Sequence, residues 1–482
     1  MKKTILSILA VLTMAVILTC IFAACGERTE SSHPSEGLEY SLSEIGNFSY
    51  AITDIGSCTD KSVVIPSMYN SRVVNSIGDS AFKDCIEMTS VTIPESITSI
   101  GTDAFKGCTA LKYIYYTGDI AKWCEISGIP NLLSYGSYGK ELYINGKKVE
   151  GELIIPKGVV SLKYGAFYNC SGLTRVSIPD SVKSIGNLAF YGCSSLTSVT
   201  IGNGVTDIGE SAFAWCRGLT SITIPNGVMS IGENAFFGCD KLASISIPDS
   251  VTSIGSNVFY GTAWYDNQPE GLVYAGKVAY KYKGLMQNNT SLTLKSGTHS
   301  ISSHAFVGCS GLTSIAILDG VTSIGDSAFS GCSDLTSITI SNSVTYIGLC
   351  AFAYCDSLQK IYISNIVSWC NISGLDNLME YGSSNKRLFV NNELVTSVKI
   401  PDGVKSIPAS AFYNFSDLTS VTIPDSVTNI GSSIFYGCTD LTNIYYKGTV
   451  SQWIAISNKT YWKDGIPSFC KVICTNGTII IS

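Results

Sequence analysis

The strongest constraint on this 482-residue sequence is a phenylalanine that returns at a fixed interval. Of the eleven intervals between successive members of the set, eight are 23 residues long. A constant period of this length indicates a chain built from stacked structural units rather than from separate globular domains. The members are Phe82, Phe105, Phe167, Phe190, Phe213, Phe236, Phe259, Phe306, Phe329, Phe352, Phe412 and Phe435.

Residues 173–193 show one unit, which reads LTRVSIPDSVKSIGNLAFYGC. Val176 and Ile178 are two residues apart and therefore share one face of a strand. Pro179 has no N–H group to donate to a neighbouring strand, so it ends this one. The first half of the unit therefore predicts a short strand whose apolar face is turned to the interior.

The second half of the unit predicts a return path. Val182 and Ile185 form another inward-facing pair and indicate a second short extended segment. We expect the glycine that follows, Gly186, to adopt a positive φ, because the chain must turn there. A polar residue before Ala189–Phe190 is typical of a short capped helical turn. One unit cannot bury its own apolar edge, so neighbouring units must stack.

This unit resembles the repeat of the BspA-like leucine-rich repeat family of bacterial cell-surface proteins. The shared pattern is LxxVxIPxxVxxIGxxAFxxC, and good copies cover residues 71–108, 157–259, 312–355 and 402–438. The resemblance implies a repeat solenoid of leucine-rich-repeat type. This would be an elongated, curved stack of 23-residue rungs, each with a short strand, a second extended segment and a short helical turn. It also implies an adhesin-like protein that binds an extracellular or host protein.

Several interruptions of the repeat are informative. Residues 111–166 and 358–411 are copies of one another, each with a tyrosine-containing strand followed by the sequence Trp-Cys-x-Ile-Ser-Gly. A truncated third copy forms a terminal module over residues 441–482. Residues 263–292 differ, because alternation of apolar residues around an Ala-Gly pair predicts a hairpin. We therefore expect a single solenoid over residues 38–482 that carries these inserts.

The N-terminal residues predict export and lipid anchoring. A positively charged start followed by an apolar run is the arrangement of a signal peptide, here residues 1–24. The sequence Phe-Ala-Ala-Cys that ends at Cys25 resembles the lipobox of bacterial lipoproteins, which implies lipidation of Cys25. Residues 25–37 are polar and typical of a flexible tether. These features predict a secreted protein held by lipid at the cell surface of a bacterium, with ordinary cleavage or an uncleaved anchor as the alternatives.

Composition argues against several classes of function. Charged residues make up 14% of the chain, the formal net charge is −6 and no Lys/Arg cluster occurs, so nucleic-acid binding has no support. His299 and His304 are close in sequence, but solvent-facing positions are favoured over a metal pair. No motif for a nucleotide, a zinc protease or a nucleophilic serine is present. The sequence predicts no catalysis, no cofactor and no metal site. The alternative is an enzyme that uses an unassigned carboxylate pair.

Ten of the 18 cysteines occupy one position, three residues after the repeat phenylalanine. Stacked rungs would place them about 5 Å apart, within disulfide range, but with parallel rather than convergent side chains. Buried free thiols are therefore favoured over disulfides, and zinc is disfavoured because no CxxC pair occurs. A disulfide is predicted only between Cys470 and Cys474. The column consists of Cys85, Cys108, Cys170, Cys193, Cys216, Cys239, Cys309, Cys332, Cys355 and Cys438.

Aromatic side chains in the three related modules interrupt an outer face of Ser and Thr. Trp and Tyr dominate recognition hot spots because they offer a large contact area at a small entropic cost. Two hypotheses follow: the solenoid face binds a protein, or the modules bind a glycan. The structural alternative is that the tryptophans only pack the modules against the solenoid. The candidate ligand-binding residues are Trp123, Trp369, Trp453, Tyr115, Tyr362 and Tyr445.

Overall fold

The computed structural model describes residues 33–42, 49–134, 139–456 and 461–481. Contacts within it divide the chain into two compact units. The first unit comprises the described residues of Met1–Ser250 and Asn257–Asn267, and the second those of Val251–Ser256 and Gln268–Ser482. Within each unit, strands of successive turns pair side by side. The predicted signal peptide and lipidation site, residues 1–24 and Cys25, lie outside the described residues.

The first unit contains 19 strands and three short helices among its described residues. They are β1 (Glu39–Leu42), β2 (Ser49–Asp54), β3 (Ser62–Val64), β4 (Met68–Tyr69), β5 (Arg72–Ile77), β6 (Ser90–Ile93), β7 (Ser99–Ile100), β8 (Tyr113–Tyr116), α1 (Ile120–Glu125), α2 (Pro130–Leu133), β9 (Glu141–Ile144), β10 (Lys147–Lys148), β11 (Gly151–Ile154), β12 (Ser161–Leu162), β13 (Leu173–Ile178), β14 (Ser184–Ile185), β15 (Ser198–Ile201), β16 (Asp207–Ile208), β17 (Ser221–Thr223), β18 (Ser230–Ile231), β19 (Ser244–Ser246) and α3 (Ala263–Asp266).

Two kinds of parallel pairing connect successive turns of the first unit. The longer strands pair in the order β11-β13-β15, and Val176 lies opposite Val199, one 23-residue period later. The two-residue strands β12, β14, β16 and β18 pair in the same parallel sense, with Ile185 opposite Ile208. Each turn therefore contributes one strand to each of two ladders. This arrangement confirms the predicted repeat solenoid with a strand and a second extended segment in every rung.

The second unit is built in the same way from 19 strands and three short helices among its described residues. They are β20 (Ser253–Ile254), β21 (Gly271–Ala275), β22 (Val278–Lys283), β23 (Thr290–Thr293), β24 (Ser300–Ile301), β25 (Leu312–Ala316), β26 (Ser323–Ile324), β27 (Ser337–Thr339), β28 (Tyr346–Ile347), β29 (Lys360–Ile363), α4 (Ile366–Cys370), α5 (Asp376–Met379), β30 (Arg387–Val390), β31 (Glu393–Leu394), β32 (Ser397–Lys399), β33 (Ser406–Ile407), β34 (Ser420–Ile423), β35 (Asn429–Ile430), β36 (Asn443–Tyr446), α6 (Val450–Ala455), β37 (Lys471–Cys474) and β38 (Gly477–Ile480).

Each insert of the second unit adds an antiparallel hairpin to one end of a parallel ladder. The hairpin predicted within residues 263–292 is formed by β21 and β22, and β22 then pairs in parallel with β24. The longer strands run in the order β23-β25-β27-β29-β30-β31, where β30 and β31 form the hairpin of the second aromatic module. Strands β37 and β38 form the corresponding hairpin of the terminal module.

The repeat phenylalanines form the centre of each unit, as predicted. All twelve are buried, and neighbouring rings stack along the units. In the first unit the ring centroids of Phe190 and Phe213 lie 5.3 Å apart, and in the second those of Phe306 and Phe329 lie 5.0 Å apart. Burial of one such side chain stabilises a protein by roughly 1.5–3 kcal/mol relative to exposure. The column therefore supplies a large stabilising contribution in every turn.

The segment before each phenylalanine is a series of hydrogen-bonded turns, and the prediction of a short helical turn was wrong in this detail. The N–H of Lys83 donates to the Ser80 carbonyl at 2.9 Å. The residue that precedes the alanine has a left-handed φ, for example +57° at Ser80 and +55° at Asn234. Because a left-handed residue interrupts a right-handed helix, these i to i+3 bonds do not continue into an α-helix.

The glycine after the repeat isoleucine also has a different role from the one predicted. Positive φ is found at many glycines of the chain, but Gly186 and Gly232 are not among them. Instead, a Cβ atom on Gly232 would lie 2.5 Å from the Glu210 amide nitrogen in the previous turn. The Gly232 N–H donates to the Ile208 carbonyl at 2.8 Å. The position requires glycine because two turns of main chain approach closely there.

Three turns lack this glycine, and each is the first turn after an insert. The residues are Lys163, Ser302 and Pro408. Strands β12 and β33, next to Lys163 and Pro408, each begin a ladder, and β24, next to Ser302, follows a hairpin strand. In the described residues, no short strand of the ladder precedes Lys163 or Pro408, and the main chain that pairs before Ser302 belongs to the hairpin strand β22, so a side chain is accommodated. The departures from the repeat thus follow from the stacking geometry.

We predict that Gly232→Ala destabilises the protein by about 1–3 kcal/mol, because the added methyl group must separate two hydrogen-bonded turns. The midpoint of urea unfolding, followed by far-UV circular dichroism, measures this change. Lys163→Ala at the equivalent position of another turn is the matched control and should change stability by less than about 0.5 kcal/mol. Equal midpoints for the two variants would contradict the close-approach explanation.

Candidate functional site

Each aromatic module holds its tryptophan on a short helix with a capped N-terminus. Asp119 accepts a hydrogen bond from the Lys122 N–H at 2.9 Å and so caps α1. Asn365 caps α4 in the same way through the Val367 N–H at 2.7 Å. Helix α6 begins with a capping box between Thr449 and Gln452. A capping side chain satisfies an amide that the helix leaves unpaired, so even these short helices have a defined start.

The three predicted tryptophan sites lie in the interior of the protein. Trp123 is 0% exposed, Trp369 is 1% exposed and Trp453 is 2% exposed. The indole N–H of Trp123 donates to the Ala166 carbonyl at 2.7 Å, and that of Trp369 to the Ala411 carbonyl at 2.9 Å. This geometry leaves no indole face for a ligand. It corresponds to the packing alternative for these three residues.

The hydrogen bonds of Trp123 and Trp369 complete a ladder that runs through the regular turns. In a regular turn the N–H of the repeat phenylalanine donates to the alanine carbonyl of the next turn, as Phe167 does to Ala189 at 2.8 Å. The first turn after an aromatic module has no such phenylalanine beneath it. The indole N–H takes the place of the missing amide, so the buried carbonyl keeps a donor.

The predicted tyrosines occupy the opposite, outward face of the module strands. Along β8, Ile114 and Tyr116 are buried, whereas Tyr113 and Tyr115 are only half-buried. Tyr115 lies 5.0 Å from the ring of Tyr143 on β9 and 6.5 Å from that of Tyr113. We call Tyr113, Tyr115 and Tyr143 the first tyrosine surface. Its rings are fixed by the parallel register of β8 and β9.

Charged groups surround the first tyrosine surface. The Tyr143 hydroxyl donates to Glu141 at 2.9 Å, and the Lys148 ammonium lies 3.3 Å from the same carboxylate. Partial burial acts to raise the pKa of Glu141, but the hydrogen bonds from Tyr143 and Lys148 outweigh it and lower the pKa. The Lys112 ammonium lies 5.1 Å from the centre of the Tyr113 ring. The surface therefore combines aromatic area with a fixed carboxylate and two cations.

The second unit carries a smaller aromatic surface of the same origin. Tyr362 on β29 stacks on Phe389 of β30 with a centroid distance of 4.7 Å. Tyr445 on β36 is 43% exposed and lies opposite Ile473 of β37. Tyr115, Tyr362 and Tyr445 thus occupy equivalent outward positions in the three modules.

The structure does not bring the predicted tryptophans and tyrosines together into one pocket. Trp123 packs against Tyr116, at 5.2 Å, and Tyr116 points away from Tyr115 along the same strand. Conversely, Tyr143 and Phe389 belong to the aromatic surfaces although they were not among the predicted residues. The alternation Leu142-Tyr143-Ile144, repeated as Leu388-Phe389-Val390, is the sequence signal for them.

Most thiols of the cysteine column donate a hydrogen bond to a carbonyl of the previous turn. The Cys216 thiol donates to the Phe190 carbonyl at 3.2 Å, and the Cys355 thiol to the Phe329 carbonyl at 3.1 Å. Burial raises the pKa of Cys239 to about 12, so the thiol stays protonated and can donate. The column therefore acts as small buried side chains that satisfy main-chain carbonyls, in agreement with the interpretation as thiols.

The disulfide predicted between Cys470 and Cys474 is not formed, because Cys470 carries a free thiol. Cys470 directly precedes β37 and Cys474 ends it. Four residues of extended strand span about 13 Å, whereas a disulfide needs Cα atoms within about 7 Å. The prediction was wrong because it did not anticipate a single straight strand between the two residues.

The described residues contain no cluster of three or more His, Cys, Asp or Glu side chains placed to hold a metal ion. His299 and His304 belong to no such group. In the same residues, no helix combines the length and the apolar character that crossing a bilayer requires.

Comparisons with known proteins agree with the repeat architecture. A family model described as BspA type Leucine rich repeat region matches residues 49–125, 139–264, 278–377 and 382–461, well over half of the chain. A search of curated proteins gives no match.

Among solved structures, the chain is similar to a leucine rich cell surface protein from Faecalibacterium prausnitzii, with 26% identity, 90% of this chain and 99% of that chain covered, and a TM-score of 0.33. It is also similar to a leucine-rich repeat protein from Bacteroides ovatus, with 22% identity, coverage of 92% and 100%, and a TM-score of 0.28. A third, from Eubacterium ventriosum, has 18% identity, coverage of 85% and 88%, and a TM-score of 0.31.

We predict that Trp123→Phe and Trp369→Phe each destabilise the protein by about 1–3 kcal/mol, because each leaves a buried alanine carbonyl without its donor. The urea unfolding midpoint again provides the measurement. Trp215→Phe is the control, since Trp215 contacts Arg217 and Phe237 through its ring. If the two module variants were as stable as this control, the indole N–H groups would have no role in completing the ladder.

Proposed function

Because the chain belongs to the BspA-type leucine-rich repeat family, we propose that it is an adhesin-like cell-surface protein that holds a protein partner on its outer strand face. Proteins of this repeat family are in general binding scaffolds without catalysis. Among the described residues, the observation that carries the proposal is the first tyrosine surface, where three half-buried rings stand on a rigid sheet. Such rings contribute contact area without a large loss of side-chain entropy on binding.

The surroundings of this surface support a protein partner. The outward positions of regular turns carry neutral Ser and Thr, for example Ser198 and Thr200 on β15 and Ser221 and Thr223 on β17, all exposed. Against this uniform face, the first tyrosine surface adds aromatic area and the charges of Lys112, Glu141 and Lys148. An aromatic centre with a charged rim is typical of a protein-protein contact.

A glycan is the second candidate ligand of the modules. The tyrosines at 115, 362 and 445 would have to bind it alone, because Trp123, Trp369 and Trp453 are buried. Aromatic rings without adjacent exposed tryptophans offer less stacking area to a sugar. The protein partner is therefore the better-supported proposal, and the glycan is an outcome of its test.

The test is binding of the full chain to immobilised extracellular-matrix proteins, mucins and a glycan array. We predict that replacing Tyr113, Tyr115 and Tyr143 together by Ser weakens binding to a protein ligand at least about tenfold, as expected for loss of a hot spot. The control replaces Tyr168 and Tyr191, another stacked pair of the first unit, by Ser. Equal binding by both variants, or binding only to glycans, would refute the proposed surface.

We also propose that Cys25 carries a lipid that holds the protein at the bacterial surface. The support is the apolar run of residues 1–24 and the Phe-Ala-Ala-Cys sequence that ends at Cys25. A single acyl chain binds a membrane only weakly and reversibly. A stable anchor therefore requires a second acyl chain or another attachment to the membrane.

Metabolic labelling with an alkyne fatty acid tests this anchor in bacteria that express the full chain. We predict that the wild-type chain is labelled and that the Cys25→Ala variant is not. The control is Cys20→Ala, which replaces the other cysteine of the N-terminal segment and should retain the label. Labelling that survives Cys25→Ala would refute lipidation at this position.

A further inference from the structure

A cleft of about 210 Å³ lies in the second unit, over the short strands β20, β24, β26 and β28. Its lining includes Ser253, Ser303, Ser323, Asp326 and Tyr346. The cleft does not include the tyrosine surfaces. It lies on the ladder of two-residue strands, which the proposed function does not use. The polar residues in its wall make it a candidate site for a small hydrophilic molecule.

The cleft arises where the hairpin insert interrupts regular stacking. Strand β24 pairs with the hairpin strand β22, and it contacts β20 through side chains. The Ser300 hydroxyl donates to the Thr252 carbonyl at 2.5 Å, and the Ser302 hydroxyl donates to the Ile254 carbonyl at 2.7 Å. Ser302 replaces the glycine of regular turns. Side-chain bonds in place of main-chain bonds set β20 apart from β24 and leave space between the turns.

The first position of the short strands distinguishes this site from every regular turn. Ser300 lies opposite Ser323, and Ser323 lies opposite Tyr346, all in parallel register. Other turns carry Ser, Asp or Asn at this position, as at Ser184, Asp207 and Asn429. Among the described short strands of this ladder, Tyr346 is the one aromatic residue at this position, and its side chain is 45% exposed. The ring therefore forms a wall beside a row of hydroxyl groups.

The remaining polar groups of the lining are acceptors and neutral donors. One carboxylate oxygen of Asp326 accepts from the Leu349 N–H at 2.8 Å, which fixes the side chain. Within the part of the chain that the structure describes, Asp326 has no cationic partner, and the lining contains no Lys, Arg or His. A carboxylate without a nearby cation disfavours an anionic ligand and favours a donor-rich neutral one.

We propose that this cleft binds a neutral hexopyranose unit. The apolar face of the sugar ring would stack on Tyr346, and its hydroxyl groups would donate to Asp326 and exchange hydrogen bonds with Ser253, Ser303 and Ser323. Aromatic stacking combined with a fixed carboxylate and several hydroxyl groups matches the alternating apolar and polar surfaces of a pyranose. The small volume limits the site to a single residue, either free or at the end of a glycan.

Saturation-transfer NMR of the full chain with the methyl glycosides of glucose, galactose, mannose and N-acetylglucosamine tests the proposal. We expect transfer to at least one of them, reduced at least fivefold in Tyr346→Ser and in Asp326→Asn. Each variant introduces a residue that other turns carry at the equivalent position. Ser is usual at the position of Tyr346, and Asn187 accepts the equivalent hydrogen bond from Glu210 at 2.9 Å. Both are therefore expected to fold.

Matched controls are Tyr354→Ser, an exposed tyrosine of the same unit outside the cleft, and Asp79→Asn, which makes the equivalent bond to Thr102 in the first unit. Both should retain the full signal. Three results would overturn the proposal: no transfer to any of the four glycosides, transfer that persists in Tyr346→Ser, or equal or stronger transfer to methyl glucuronate. Because the site lies outside the tyrosine surfaces, the triple tyrosine variant should bind sugar normally even if the proposed protein interaction fails.

Discussion

Main-chain hydrogen bonding between successive turns is the constraint on which the rest of the structure depends. A bond such as that from Gly232 N–H to the Ile208 carbonyl, at 2.8 Å, requires two turns to approach within a distance that excludes a Cβ atom. The same spacing aligns the buried phenylalanines at 5–6 Å and brings most thiols of the cysteine column to a carbonyl of the previous turn. The 23-residue period is therefore a hydrogen-bonding period, and apolar burial is arranged to match it.

An insert breaks this ladder, and each insert carries its own means of closing it again. Trp123 and Trp369 supply an indole N–H where a phenylalanine amide is missing. The hairpin of the second unit supplies the Tyr282 N–H, which donates to the Ala305 carbonyl at 2.7 Å. Two different kinds of insert thus satisfy the equivalent buried alanine carbonyl in three turns. The need to pair that carbonyl explains why large aromatic residues occupy the interior of the modules, where burial and a single donor are both required.

The sequence predicted the repeat, the strand positions and the phenylalanine core well, because these follow from periodicity alone. It predicted the role of Gly186 less well, because a conformational reason and a packing reason for glycine look identical in one sequence. The tryptophans were harder still. Whether Trp123 faces solvent or the interior depends on the turn that follows the module, and Tyr143 becomes part of a surface only through its register with Tyr115. Orientation and cross-strand register are properties of the assembled stack, not of one repeat.

Each position of a regular repeat has equivalents in the other turns, so a residue that differs from its equivalents needs a structural reason of its own. Lys163, Ser302 and Pro408 depart from the repeat glycine for a reason that the stack itself supplies, since each lies in the first turn after an insert. Tyr346 departs from the repeat serine without such a reason. Its strand β28 pairs in parallel with β26, as β26 does with β24, and its ring remains 45% exposed. A large residue that neither fills the core nor completes the ladder contributes nothing that stacking requires. Its position beside the cleft therefore marks this ladder, rather than the core, as the place where the sequence was free to specify a ligand.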